Sequence, residues 1–223
     1  MSKLDAIVIR ELGEQDYLPT FDAMRHFTQH RSAETPDEFW LVEHPPVFTQ
    51  GRNSKPEHLL NASDIDVIDI DRGGQITYHG PGQIVLYVML DLNRAKKGVR
   101  DLVTAMEQSI ILLLAEYGLT AEARRDAPGV YVDNAKIAAL GLRITRGRSY
   151  HGLSLNVDMD LSPFQGINPC GYPGLNVTQC RDLGISDPIP KISERLCALL
   201  STELGYNARV YEPIRPDNLT TSE

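Results

Sequence analysis

The sequence contains few cysteines and no long apolar run. Its three cysteines, Cys170, Cys180 and Cys197, are an odd number without a CxxC pair, which argues against a disulfide framework and a cysteine-based zinc site. The longest apolar runs, at 84–90 and 110–115, are far shorter than the roughly 20 residues of a membrane-spanning helix. We therefore expect no membrane segment and no metal, and each thiol is either core filler or a reactive group.

The sequence also lacks a basic surplus. It has 22 Lys and Arg against 30 Asp and Glu, whereas nucleic-acid binding normally requires a basic patch or stripe. The first ten residues show neither the apolar region nor the cleavage site of a secretory signal, so we expect a cytoplasmic protein that does not bind nucleic acid. The length fits one domain, expected at 1–213, followed by a polar C-terminal tail at 214–223.

Hydrophobic patterning predicts more strands than helices. Short β-type runs, several of them alternating apolar and polar residues, occupy 6–10, 39–43, 66–71, 84–90, 129–132, 137–144 and 152–157. Helical spacing predicts three helices, at 17–28, 102–117 and 192–200. Because strands outnumber helices and do not alternate strictly with them, we predict an α+β fold in which helices pack on a mainly antiparallel or mixed sheet.

Cys170 is the candidate reactive thiol. It lies in NPCGYPG from Asn168, a segment too rich in proline and glycine for a helix or a central strand. Pro169 restricts the backbone and Gly171 lets other groups approach, so the thiol is displayed on a rigid loop. Cys197 instead lies on the apolar face of a predicted helix and is interpreted as core filler, and the neighbours of Cys180 do not form a nucleophile site.

A reactive thiol needs a basic partner, because free cysteine is only a few per cent thiolate at pH 7. Histidine is the usual base, and His79 and His151 are both candidates. Lys136 is a third, as the single charge before the apolar run at 137–141. The residues alone leave this choice open, since a lysine at a strand end commonly extends its ammonium to solvent.

A glycine-rich segment, RGGQITYHGPGQ from Arg72, follows a predicted strand. Its glycines let the backbone approach a ligand and direct N–H groups at it, which suits an acyl carbonyl or a phosphate. It matches neither the Walker loop nor the Rossmann fingerprint. A tight hairpin without a ligand remains the alternative interpretation.

These segments resemble the octanoyltransferase family, also called lipoyl(octanoyl) transferases or the lipoate-protein ligase B family. The resemblance runs from EHPPVFTQGR at Glu43 to the region of Cys180. Its most specific parts are the segment from Arg72, GVYVDNAKIAALGLRI from Gly129, YHGLSLNVD from Tyr150 and GINPCGYPGL from Gly166.

The resemblance implies an acyltransferase catalytic domain with the fold shared by biotin and lipoate protein ligases. It implies transfer of octanoyl from the phosphopantetheine of acyl carrier protein to a specific lysine of lipoyl domains. Those domains belong to 2-oxoacid dehydrogenase complexes and to the glycine cleavage H protein. The reaction would be the first step of endogenous lipoate biosynthesis and would require neither ATP nor metal.

The resemblance also assigns roles to single residues. Cys170 is expected to carry the octanoyl group as a thioester, Lys136 to be its acid/base partner, and His151 to be a further site-lining residue. Substrate contacts are expected from three segments, namely Arg72, Gly73, Gly74, Gln75, Ile76, Thr77, Tyr78 and His79; Ala139, Leu140 and Gly141; and Gly152, Leu153 and Ser154.

The protonation state of a lysine–cysteine pair follows from its surroundings. At pH 7, deprotonating an unperturbed lysine costs about 4.6 kcal/mol, against about 2 kcal/mol for a cysteine. In a partly solvated site a thiolate–ammonium pair is therefore easier to reach than a neutral amine beside a thiol. Deep burial would reverse this preference, because desolvation penalises both charged forms.

Two other functions compete with this interpretation. An ATP-dependent lipoate or biotin ligase would have the same fold, but the GRGRxxR-like loop of the biotin branch is not found and adenylation requires no positioned cysteine. A non-catalytic module that only docks a carrier protein would form no acyl adduct.

Overall fold

The computed structural model describes residues 4–125 and 127–213; the predicted tail at 214–223 lies outside the described residues. The helices are α1 (Tyr17–His30), α2 (Leu92–Ala95), α3 (Val99–Glu116) and α4 (Ile189–Leu204). The strands are β1 (Leu4–Glu14), β2 (Asp37–Glu43), β3 (Val47–Gln50), β4 (Val67–Asp69), β5 (Ile76–His79), β6 (Gln83–Met89), β7 (Glu122–Ala123), β8 (Gly129–Val132), β9 (Ala135–Thr145), β10 (Arg148–Asn156) and β11 (Tyr206–Tyr211).

The strands form two sheets. The larger has the order β11-β1-β2-β6-β10-β9-β8-β7, in which β1 runs parallel to β11 and β2 while the other neighbours are antiparallel. The smaller has the order β4-β3-β5, with β3 parallel to β4 and antiparallel to β5. The predicted α+β fold with a mixed sheet is therefore confirmed.

Helices cover both faces of the larger sheet. In β6, Ile84 and Leu86 pack in the core cluster that contains α3 and α4, whereas Val85 and Tyr87 pack in the cluster that contains α1. Successive side chains of a strand point to opposite faces, so this strand is buried throughout. The patterning predicted half-buried strands; the central ones are instead buried on both sides because each face of the sheet carries a helical layer.

The three long helices lie where helical spacing predicts them. Gly118 follows α3 with φ 77°, and Gly205 ends α4 with φ 86°, a backbone conformation that glycine adopts without steric cost. Pro190 stands in the first turn of α4, where its missing N–H costs nothing. Among the helices of the described segments, none is long and apolar enough to cross a membrane.

Several short elements were not predicted. Four-residue strands such as β3 and β5 are too short to display a period, and β11 has mostly exposed side chains. The pairing of Ile76–His79 with Val47–Gln50 also corrects the interpretation of the glycine-rich segment, which is a strand at its centre and a loop at its ends.

One buried carboxylate links four parts of the fold. Asp37, in β2, accepts hydrogen bonds from Arg31 at 2.6 Å, from the N–H of Asp91 at 2.8 Å and from the hydroxyl of Tyr206 at 2.6 Å. The guanidinium of Arg94 lies 2.7 Å from the same carboxylate. The residue therefore joins the end of α1, helix α2 and the edge strand β11 to the middle of the sheet.

We expect Asp37→Asn to lower the free energy of unfolding by about 3–5 kcal/mol, because the two arginines lose the buried carboxylate that they share. Asp22→Asn is the matched control: its exposed pair with Arg25 contributes less than about 1 kcal/mol. Urea unfolding at pH 7 measures the free energy of unfolding of both variants. Equal losses in the two would show that the Asp37 carboxylate does not stabilise the fold more than an exposed ion pair does.

Candidate active site

The structure brings Lys136 and Cys170 into direct contact. The Nζ of Lys136, in β9, lies 2.6 Å from the Sγ of Cys170 and 2.7 Å from the carbonyl oxygen of Pro128. The lysine is only 4% exposed, whereas the cysteine is partly exposed. The sulfur is thus accessible from outside, whereas the lysine side chain beside it is shielded from water.

Backbone hydrogen bonds explain how residues so far apart in sequence meet. The N–H of Lys136 donates to the carbonyl of Asn176 at 2.8 Å, and its carbonyl accepts from the N–H of Thr178 at 2.9 Å. The segment just after the Cys170 loop is therefore fastened to β9 at the lysine itself. This leaves the loop little freedom in where it presents the thiol.

The loop that contains Cys170 has an unusual backbone. Cys170 adopts φ 57° and Gly171 φ 79°, both in the left-handed region, within the 3-10 turn Pro169–Gly171. For a non-glycine residue this conformation costs on the order of 1–3 kcal/mol, and such strain concentrates at functional sites. The loop is held by a hydrogen bond of 2.8 Å from the N–H of Asn168 to the carbonyl of His58.

The other two thiols differ from Cys170. Cys180 and Cys197 are buried, and burial raises the pKa of each to about 12, so they remain protonated. Within the described residues, no group of three or more His, Cys, Asp or Glu side chains could hold a metal ion.

A pocket opens beside Cys170, between the sheet and the glycine-rich segment. Most of the predicted substrate contacts line it, together with Cys170: Arg72, Gly74, Gln75, Ile76, Thr77, His79, Ala139, Leu140, Gly141, His151, Gly152, Leu153 and Ser154. Lys136 lines a smaller neighbouring cavity, which shares Thr77, Ala139, Ser154 and Cys170 with the pocket. The carbon of an acyl group bound to the cysteine would therefore lie where the two spaces meet.

Two predicted contact residues do not line this pocket. Tyr78 packs instead against Phe48 and Phe164, with ring centroids 5.5 Å apart in each pair. Gly73 donates its N–H to the carbonyl of Leu142 at 3.0 Å and so fastens the glycine-rich segment to β9. Both residues support the site from outside it.

The pocket also contains residues that sequence reasoning missed. Tyr17, Val85 and Tyr87 complete its lining. The hydroxyl of Tyr87 is 2.7 Å from His44, whose other ring nitrogen is 2.6 Å from the carbonyl of Gln15. In sequence these residues have the spacing of ordinary core positions, so no motif distinguishes them.

Arg72 organises the glycine-rich segment. Its guanidinium donates to the carbonyls of Thr49 at 2.7 Å, Gln75 at 2.8 Å and Gly73 at 3.0 Å. A Cβ on Gly51 would lie only 2.8 Å from the same guanidinium, which shows how closely the backbone wraps it. Burial lowers the pKa of Arg72, but a guanidinium stays protonated in proteins, and these carbonyl acceptors hold the cation in place at the pocket wall.

The histidines near the pocket are held neutral. Burial lowers the pKa of His79 to about 3 and that of His44 to about 4. Burial also lowers the pKa of His151, although the Asp71 carboxylate, 3.0 Å from its Nε2, acts in the opposite direction. A general base works best with a pKa near the operating pH, so these surroundings do not favour a histidine base.

Comparison with solved structures defines the class of fold. A lipoate-protein ligase A bound with ATP matches with a TM-score of 0.75 and 13% sequence identity, covering 96% of this chain and 90% of that one. A biotin protein ligase from Aquifex aeolicus in complex with biotin and ATP matches with a TM-score of 0.54 and 12% identity, over 90% and 70% of the two chains. The fold is that of the lipoate and biotin protein ligase catalytic domains, as predicted.

Sequence comparison then defines the family. The family model described as the lipoyl protein ligase A/B catalytic domain matches residues 16–200. An octanoyltransferase from Shewanella sp. (strain ANA-3) is 58% identical over 203 residues, covering 91% of this chain and 94% of that protein. One from Dechloromonas aromatica (strain RCB) is 62% identical over 197 residues, covering 88% and 96%. The chain therefore belongs to the octanoyltransferases of the lipoyl protein ligase A/B family, and it is an acyltransferase.

Gly129 has no room for a side chain beside Lys136. A Cβ there would lie 2.4 Å from the Cε of the lysine and 2.5 Å from the carbonyl oxygen of Ala138. We expect Gly129→Ala to displace the ammonium and reduce octanoyl transfer by about 100-fold. Gly118→Ala is the control, since that glycine also has a positive φ but no atom within 4 Å of the added Cβ. Full octanoyl transfer by a folded Gly129→Ala protein would show that the space at Gly129 is not needed to place the Lys136 side chain.

We expect the free energy of unfolding to fall when the pH is lowered from 7 to 5. His44 and His79 have folded-state pKa values below the unfolded value near 6.5, so the unfolded chain binds more protons below that pH. Stability is complete above pH 6.5 and is lost as the pH falls towards 4. Each histidine contributes about 2 kcal/mol of the loss at pH 5.

Urea unfolding at the two pH values measures this effect. His79→Gln should reduce the difference between them by about 2 kcal/mol, because one titrating group is gone. His30→Gln, at an exposed position, should leave the difference unchanged. An unchanged difference in the His79 variant would show that this histidine is not held neutral.

Proposed function

We propose that this enzyme transfers octanoyl from acyl carrier protein to a lysine of lipoyl domains through a thioester on Cys170. The observation that carries the proposal is the contact of 2.6 Å between the Lys136 ammonium and the cysteine sulfur. Supporting it, the other two thiols stay protonated and the nearby histidines are poor bases. Because the similar proteins are octanoyltransferases, we take octanoyl as the acyl group that is transferred.

In the first half-reaction the Cys170 thiolate attacks the carbonyl carbon of the donor thioester. A bond forms between that carbon and the enzyme sulfur, and the bond to the carrier sulfur breaks. The Lys136 ammonium gives its proton to the departing carrier thiolate and becomes a neutral amine. One thioester replaces another, so this step is close to thermoneutral and requires no ATP.

In the second half-reaction the amine of the lipoyl-domain lysine attacks the acyl-enzyme. An amide bond forms, the bond to Cys170 breaks, and Lys136 accepts the proton that the incoming amine loses. The thiolate–ammonium pair is thereby restored. Because an amide is much more stable than a thioester, this step makes the overall transfer strongly favourable.

The pocket beside Cys170 is the proposed site of the acyl chain. Apolar side chains such as Ile76, Val85 and Leu153 line it. Burial of about seven saturated carbons contributes roughly 5–6 kcal/mol to binding, which favours a medium-length chain over a short one. The residues that line the pocket but carry no proton in these steps act as substrate contacts.

Mass spectrometry tests the proposal directly. Enzyme incubated with octanoyl-carrier protein, without ATP or added metal, should gain the mass of one octanoyl group at Cys170. Addition of an apo lipoyl domain should then discharge the adduct as the domain gains the same mass. Cys170→Ala should form no adduct, and Lys136→Met should slow transfer by about 100- to 10,000-fold.

Cys180→Ala is the matched control, because it removes a thiol that burial keeps protonated. It should acquire the adduct as the unmodified chain does. An adduct on another residue would contradict the assigned nucleophile. An absolute requirement for ATP would favour an adenylating ligase, and the absence of any adduct would favour a docking module.

A further inference from the structure

We propose that Tyr131 is a positioning residue that fixes the place and the charge of the Lys136 ammonium. The proposal rests on the function proposed above, in which this ammonium exchanges protons with substrates beside Cys170. Tyr131 lies in the segment GVYVDNAKIAALGLRI and is one of the largest fully buried side chains among the described residues. Its contacts reach the lysine by two separate routes.

The first route is the aromatic ring. Tyr131, in β8, is paired directly with Lys136 in β9, and the lysine Nζ lies 5.6 Å from the ring centroid. A cation within about 6 Å of an aromatic face is attracted by the ring quadrupole, most strongly where water is excluded. The guanidinium of Arg124 lies 4.4 Å from the same ring, so two cations meet this one π system.

The second route is the hydroxyl group. It donates a hydrogen bond of 2.7 Å to the carbonyl of Ala127. The next residue is Pro128, whose carbonyl accepts from the Nζ of Lys136 at 2.7 Å. Proline fixes its own φ near −65°, so anchoring the preceding carbonyl limits where the proline carbonyl can point. The tyrosine hydroxyl therefore restricts the position of the carbonyl group that accepts from the lysine.

These routes matter because the lysine has no carboxylate partner among the residues that the structure describes. A buried cation without a counter-ion tends to lose its proton unless hydrogen bonds and nearby charge stabilise it. The partners here are the cysteine sulfur, one backbone carbonyl and one aromatic face. Tyr131 supplies the aromatic face and positions the backbone carbonyl. It therefore favours the thiolate form of Cys170 and the ammonium form of Lys136.

The pH dependence of Cys170 alkylation by iodoacetamide tests this role. We expect Tyr131→Phe, which keeps the ring and removes the hydroxyl, to slow alkylation at pH 7 by about 3- to 10-fold, the effect of one lost hydrogen bond. The pH of half-maximal rate should rise, and at high pH the rate should approach that of the unmodified protein. Tyr131→Leu, which also removes the ring, should shift the profile further.

Tyr206→Phe is the matched control. It also deletes a buried hydroxyl that makes one hydrogen bond, of 2.6 Å to Asp37, but it lies at the opposite edge of the sheet. Its alkylation profile should equal that of the unmodified protein. If Tyr131 had a purely structural role, Tyr131→Phe would lower thermal stability as Tyr206→Phe does. The pH of half-maximal alkylation would then be the same as in the unmodified protein.

Lys136→Met separates failure of this proposal from failure of the proposed function. If Lys136→Met leaves the alkylation profile unchanged, the lysine does not activate the thiol and the mechanism itself is wrong. If Lys136→Met shifts the profile but a folded Tyr131→Phe does not, only the role of Tyr131 is overturned. A rate reduced equally at every pH in Tyr131→Phe would also overturn it, since that indicates a displaced loop.

Discussion

Among the described residues Lys136 is buried without a carboxylate partner, so it needs other partners, and the candidate site is arranged around this requirement. The Lys136 ammonium contacts the sulfur of Cys170, one backbone carbonyl and one aromatic face. The partners come from two parts of the chain, because Pro128 and Tyr131 lie in or next to β8 and Cys170 lies in the loop after Asn168. Strand β9 provides the lysine, its neighbour β8 provides the ring, and the strained loop provides the sulfur. The site exists only when all of these are in place, so it depends on tertiary structure as a whole.

The sheet makes this convergence possible because helices cover both its faces. Strand β6 is buried on either side, and β10 next to it forms the wall of the pocket. The small sheet then holds the glycine-rich segment over this wall, with Arg72 bound by backbone carbonyls. The predicted substrate contacts therefore lie on strands or on loops fastened to strands, which suits the proposed alignment of an acyl carbon with the sulfur of Cys170.

The sequence was most informative where a residue had an unusual local setting. Cys170 stood out because proline and glycine surround it, whereas Lys136 was one of three candidate bases and received its role only from the family resemblance. Long helices and strands were also predictable, since they are long enough to display a period. The partners of the lysine were not, because Pro128 acts through its backbone carbonyl and Tyr131 has the pattern of a core strand residue. Their roles arise only from contacts between β8 and β9.

The left-handed backbone at Cys170 has a consequence for the balance between stability and activity. Glycine adopts this conformation without strain, whereas a cysteine loses on the order of 1–3 kcal/mol of stability to hold it. The chain would therefore be somewhat more stable with glycine at the position where the proposed mechanism requires sulfur. Under that mechanism, selection for stability alone would remove the nucleophile, so a cysteine here trades stability for catalysis.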